Sequence, residues 1–229
     1  MTSIRWLGHA SWELKNDGTT VLVDPWVNGN PKTPVSSPDE LQADAILLTH
    51  GHGDHYGDTV DIAKRTGASV LAIVELAGEI SGILGEDHAV HNPNMGGTVE
   101  YDWGWVRMVP AWHTGTSPNG TAHNPAGLLI NIGGVTIYDL GDTALFSDLA
   151  LPGRRSPVDI AIIPIGGHFT MDRFDAVEAA KLIGAKQVIP QHYDTFPPVA
   201  TDAQAFKADV EGATDSQVVV LQPGETHET

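Results

Sequence analysis

Cysteine is absent from the chain. That absence excludes disulfides, thiolate metal ligands and cysteine nucleophiles, so any metal chemistry must rest on imidazole and carboxylate. Cationic side chains are scarce: 12 Lys and Arg stand against 29 Asp and Glu, for a formal charge of −17. A surface this negative repels phosphate backbones and anionic lipid headgroups, so neither nucleic acid nor membrane is an expected partner. A dense carboxylate surface also suits high salt. No apolar run approaches the roughly 18 residues of a membrane span, and no basic segment leading into a short apolar stretch opens the chain. The expectation is a cytoplasmic enzyme with a small-molecule substrate.

What the chain does contain is 41% apolar residues, 25 Gly and 15 Pro over 229 positions, an ordinary globular composition rich in turns. One domain over residues 1–229, built from two related halves of about 1–115 and 116–229, is expected from the length and from an internal echo. The echo pairs 43–50 (ADAILLTH) with 158–165 (VDIAIIPI), each an acidic residue opening an apolar strand that runs into a Gly- and His-bearing loop. Val- and Ile-rich runs bounded by Gly, Pro and Asp predict strands at 3–7, 20–23, 45–49, 70–73, 105–110, 127–132, 135–138, 160–164 and 187–189. Helical spacing is clearest at 59–65, 174–183 and 202–210, and residues 27–38 read as an exposed irregular loop. The alternation predicts an α/β fold.

The chemistry concentrates in Thr49-His50-Gly51-His52-Gly53-Asp54-His55, an HxHxDH motif directly after the strand at 45–49 and before a helix. Three imidazoles and a carboxylate in six residues are costly to bury unless something pairs with them. His50 and His52, two apart, point to the same side of an extended backbone, whereas Asp54 and His55 follow where the chain turns into the helix. Four such ligands cannot all meet one tetrahedral ion from so short a loop, which predicts two ions. Imidazole with carboxylate favours Zn²⁺, with Mn, Fe or Ni as alternatives set by supply.

The motif and four further landmarks resemble the metallo-β-lactamase superfamily: Asp24 in VLVDP, His113 in PAWHT, Asp142 in LGDT and His192 in PQHY, in that order along the chain. Gly8-His9-Ala10-Ser11, the run from Gly141 to Asp148, Phe169-Thr170-Met171 and the run from His192 to Pro197 bring the resemblance closer to metal-dependent hydrolases related to the UlaG-like lactonases. The resemblance implies an αββα sandwich with metals where the two sheets meet. It implies His50, His52 and His113 on one ion, Asp54, His55 and His192 on the other, and Asp142 between them. The implied activity is hydrolysis of a small-molecule ester, lactone, amide or phosphodiester by a hydroxide generated between the ions, with Asp54 or a metal-bound water handling the proton. In the oxygen- and nitric-oxide-reducing flavodiiron relatives a Glu commonly stands at the position of His52, which sets this chain on the hydrolytic side. The alternative is a non-catalytic protein that uses the metal site to bind or sense a ligand.

Several residues admit two readings. Asp24 is expected to accept a hydrogen bond from a ligand imidazole and fix its tautomer, or simply to end a strand. His9 is either a satisfied core histidine or a similar support. His168, in Gly-Gly-His-Phe-Thr, either donates a proton to a leaving group or is an exposed loop residue. His88, His91, His123 and His227 lack such context and are expected at the surface. Trp103, Trp105 and Trp112 read as core or interface aromatics suited to a homo-oligomer, and Tyr193 and Phe196 as walls of the pocket.

Overall fold

The computed structural model describes all 229 residues, Met1–Thr229. The first sheet begins with β1 (Thr2–Trp6), β2 (Trp12–Asn16), β3 (Thr19–Val23), β4 (Ala45–Leu47), β5 (Ser69–Leu71) and β6 (Val90–His91). Between His91 and Thr98 the chain crosses to the second sheet, made of β7 (Thr98–Tyr101), β8 (Gly104–Pro110), β9 (Ala126–Ile132), β10 (Val135–Asp139), β11 (Ile160–Pro164), β12 (Gln187–Gln191) and β13 (Gln217–Val218). It then returns as β14 (Thr226–Glu228) to the free edge of β1.

The two sheets repeat one pairing pattern. From β14 to β6 the first has three antiparallel and then three parallel pairings. From β7 to β13 the second has the same succession. The echoing segments of the sequence fall on β4 and β11, which hold corresponding places. Each is wholly buried, as befits a parallel strand covered on both faces.

Six helices complete the chain: α1 (Gly53–Tyr56), α2 (Thr59–Thr66), α3 (Val74–Leu84), α4 (Leu151–Arg155), α5 (Arg173–Ile183) and α6 (Ala203–Ala213). Their ends follow from local chemistry. Asp172 caps α5 by accepting from the amides of Phe174 and Asp175, and Gly184 ends it in the left-handed region. Asp202 caps α6 in the same manner. With α2 and α3 on the first half and α5 and α6 on the second, the architecture is an αββα sandwich around one apolar core of 60 buried residues drawn from both sheets. No helix is long and apolar enough to cross a membrane.

Among the elements outside the sequence expectation, which include β6, β7, β13, β14 and α4, two show how burial overrides local pattern. β2 reads as polar, yet Glu13 is buried and its carboxylate is paired with Lys15 at 2.9 Å and Arg5 at 3.7 Å. α3 contains Gly78 and Gly82, which weaken a helical pattern, but Leu76, Ala77 and Ile80 bury one face and hold it.

Candidate metal centre

The residues singled out in the sequence lie beyond the ends of strands, with Asp54 and His55 in α1. Asp24 follows β3, His50 to His55 follow β4, His113 follows β8, Asp142 follows β10 and His192 follows β12. Asp24 and His192 adopt left-handed backbone, with φ of 45° and 56°. Non-glycine residues hold such angles only where surrounding bonds over-determine them. His192 is fixed by its amide donating to the His9 carbonyl at 3.0 Å, and His9 is itself left-handed with φ of 58°.

All seven expected ligands meet. His50, His52 and His113 form one group whose candidate ligand atoms lie within 4.8 Å of one another, and Asp54, His55 and His192 belong to a second, together with His9. Asp142 joins them: its Oδ2 lies 3.3 Å from His192 Nε2, 3.4 Å from His55 Nε2, 3.5 Å from His113 Nε2 and 3.9 Å from His50 Nε2. His50, His55, Asp142 and His192 are buried, while His52, Asp54 and His113 are half-buried and form the accessible side.

Asp24, which falls in a third such group with His50 and His55, orients their imidazoles. Its Oδ2 accepts from His55 Nδ1 at 2.7 Å and from the Thr49 hydroxyl at 2.5 Å, and its Oδ1 accepts from the Thr49 amide at 2.9 Å. With its hydrogen spent on Asp24, the Thr49 oxygen accepts from His50 Nδ1 at 3.1 Å. Both imidazoles thus donate from Nδ1, which aims both Nε2 atoms at the centre.

The electrostatics fit divalent cations. Burial pushes His50 well below its ordinary pKa, and burial likewise lowers His52 and His113. Burial opposes the charge on Asp142, but His192 and His55 outweigh it and hold its carboxyl far below the usual range. Burial would also lower His55, yet Asp142 and then Asp24 raise it well above its ordinary value. A field that holds a proton at His55 is a field that attracts a metal cation. His55 Nε2, His192 Nδ1 and Asp142 Oδ1 are buried without a hydrogen-bond partner. Further, His50 Nε2 faces His52 Nδ1 at only 3.0 Å, an arrangement that a shared cation satisfies.

Comparison with known proteins agrees with this reading of the residues. A family model described as the beta-lactamase superfamily domain matches residues 3–192. The chain belongs to the metallo-β-lactamase superfamily. It is 45% identical over 208 residues to a UPF0173 metal-dependent hydrolase of Ligilactobacillus salivarius, covering 90% of this chain and 92% of that one. It is 42% identical to the UPF0173 metal-dependent hydrolase of Methanopyrus kandleri, over 98% and 99% of the two chains. Among solved structures, Igni18, described as a novel metallo hydrolase from the hyperthermophilic archaeon Ignicoccus hospitalis, aligns with a TM-score of 0.89 at 33% identity over 100% of this chain and 99% of that one.

Within this metallo-β-lactamase superfamily member, His9 stands where a core or supporting histidine was expected, whereas His123 departs from expectation. His9 is fully buried against the second group, its Nε2 3.1 Å from Asp54 Oδ2 and its Nδ1 2.8 Å from the Thr195 hydroxyl. Burial lowers its pKa to about 4, so it is neutral and donates from Nε2 to the Asp54 carboxylate. That donation and the charge on His55 keep Asp54 ionised against the effect of burial.

His123, expected at the surface, is buried, and its Nε2 accepts from the Gly51 amide inside the HxHxDH loop at 2.9 Å. Its sequence context of Gly, Ser, Pro, Asn and Thr concealed it; the signal that could have found it is the pair Gly51 and Gly115, whose missing side chains make room for its ring. His168 is exposed on the loop after β11, its ring 4.5 Å from that of Phe169 and outside both groups. Tyr193 is buried against Trp6 in the core, while Phe196 lies beside His9. Trp112 is 69% exposed next to His113, whereas Trp103 and Trp105 are half-buried.

Proposed function

We propose that this chain is a cytoplasmic metal-dependent hydrolase that cleaves a small-molecule ester, lactone, amide or phosphodiester. One divalent ion is held by His50, His52 and His113, a second by Asp54, His55 and His192, and Asp142 lies between. Zn²⁺ is the favoured ion on the donor set, with Mn, Fe or Ni as alternatives. The observation that carries this reading is the single Asp142 oxygen with four imidazole nitrogens at 3.3 to 3.9 Å, which draws two separate ligand groups onto one carboxylate.

When bound, two such ions supply Lewis acidity and lower the pKa of water far below its bulk value. The chain's own residues divide the remaining work. His50, His55, Asp142 and His192 exclude solvent beneath the centre, and Asp24 fixes the tautomers that point lone pairs into it. Asp54, with 31% of its side chain exposed and anchored by His9, is an ionised carboxylate placed to take up a proton from water. His168, exposed on a neighbouring strand-end loop, is the candidate donor to a leaving group. A net charge of −17 supports small neutral or weakly charged substrates over nucleic acid.

The test is to assay the purified full-length protein for metal content and for turnover of p-nitrophenyl phosphodiesters, lactones and amides. Asp142→Ala should lose bound metal and any turnover together. An active variant without metal overturns the reading, and a wild-type protein that retains ligand only with metal yet turns nothing over replaces catalysis with binding or sensing.

A further inference from the structure

His123 stands outside both ligand groups, yet it hydrogen-bonds to both chain segments that carry the first group. Its side-chain Nε2 accepts from the amide of Gly51, the residue between His50 and His52. Its backbone amide donates at 3.0 Å to the carbonyl of Gly115, two residues beyond His113. The ring tautomer follows from its partners: Nδ1 donates to the Thr121 carbonyl at 3.1 Å, so Nε2 presents a lone pair to Gly51.

The ring occupies space that two glycines vacate. A Cβ on Gly51 would stand 2.7 Å from His123 Cε1, and one on Gly115 would stand 2.8 Å from His123 Nε2. The loop that delivers His123 is braced in turn from α3. Glu79 accepts from the Ser117 hydroxyl and, at 2.8 Å, from Asn119 Nδ2, while the Ser117 oxygen accepts from the Thr121 amide at 3.0 Å. The second group has braces of its own, with His9 on Asp54 and Asp24 on His55.

We propose that His123 is the positioning residue of the His50, His52 and His113 ion alone, holding the two segments that bear its ligands by one side-chain and one backbone hydrogen bond. The inference rests on the two-ion reading above. Removing the Nε2 acceptor leaves the buried Gly51 amide unpaired and frees the backbone that aims His50 and His52. The cost falls on one ion, because the residues of the other are anchored elsewhere. Loss of a partner that orients ligands typically lowers metal affinity about 10- to 100-fold.

The experiment titrates metal-free full-length protein with Zn²⁺ against a chromophoric chelator, and records anomalous diffraction from zinc-loaded crystals. His123→Leu should bind one ion as wild type does and the other 10- to 100-fold more weakly, with anomalous density lost between His50, His52 and His113 and kept between Asp54, His55 and His192. His123→Gln, whose amide oxygen can reach the place of Nε2, should retain both ions, whereas the shorter His123→Asn should behave as the Leu variant. The Gln and Asn pair decides the matter even where Leu impairs folding. Equal binding by Gln and Asn variants, or equal weakening of both ions, overturns the assignment. A wild-type protein that takes up only one ion would instead overturn the two-ion reading, and the assignment with it.

Discussion

Replacing Asp24 by Asn tests how the buried carboxylate directs the imidazoles. Asn is nearly isosteric and tolerates the left-handed backbone observed there, so the fold should survive. The carboxylate receives three donors: the Thr49 amide on one oxygen, and His55 Nδ1 with the Thr49 hydroxyl on the other. An amide has only one oxygen. If its NH₂ takes the second place it faces two donors, and if it takes the first it faces the Thr49 amide. Either way at least one hydrogen bond to a charged group, worth about 1.5 to 3 kcal/mol, becomes a donor-to-donor contact. At about 1.4 kcal/mol per tenfold, the ion that uses His55 should bind roughly 10- to 100-fold more weakly. The ion that uses His50 should weaken less, because Asp24 reaches it only through Thr49. Chelator competition on metal-free protein reads both steps, and thermal unfolding without metal checks the fold. A variant that binds the two ions with unchanged affinity would refute the orienting role.

Two other perturbations follow from the geometry. Asp139 is buried, with Oδ2 unpartnered, and burial together with the charge of Asp24 raises its pKa to about 7. Because the unfolded carboxyl titrates near 3.9, the metal-free protein should lose stability as pH rises from about 4 to about 7, by at most roughly 4 kcal/mol from this group. Asp139→Asn, with its amide oxygen accepting from Gly141 and Gln191, should remove that loss, so the variant's advantage in denaturant melts grows from pH 5 to 7.5; parallel profiles would contradict it. Gly57 has φ of 44°, and a Cβ there would stand 2.3 Å from the Pro25 carbonyl oxygen and 2.7 Å from Trp26 Cα. Gly57→Ala should destabilise by at least about 2 kcal/mol, against little change for Gly53→Ala, which meets nothing within 4 Å; equal melting temperatures would refute this.

The sequence disclosed the candidate centre because its residues follow apolar strands, and a strand end is where a chain can present a polar side chain without burying unpaired backbone. β4, β10 and β12 were legible for that reason, and so were His50, Asp142 and His192 beyond them. The echo between 43–50 and 158–165 marked β4 and β11, which hold corresponding places in the two sheets. His123 was not legible, since it acts through a bond closed by distant chain, 72 residues back to Gly51, and His9 was legible as a core or supporting histidine without its partner Asp54, 45 residues away. No local spacing records such a bond. β2 and α3 were hidden by the opposite problem: ion pairs of Glu13 and the glycines of α3 override local preference through tertiary burial.

The proposed centre draws seven side chains, Asp142 among them, from four segments of the chain onto two cations. Anomalous diffraction collected on either side of the zinc edge, from crystals grown with ample Zn²⁺, tests it most directly. Two peaks are expected, one among His50, His52 and His113 and one among Asp54, His55 and His192, each within bonding reach of Asp142. A single peak, or none with those side chains turned to solvent, would contradict it.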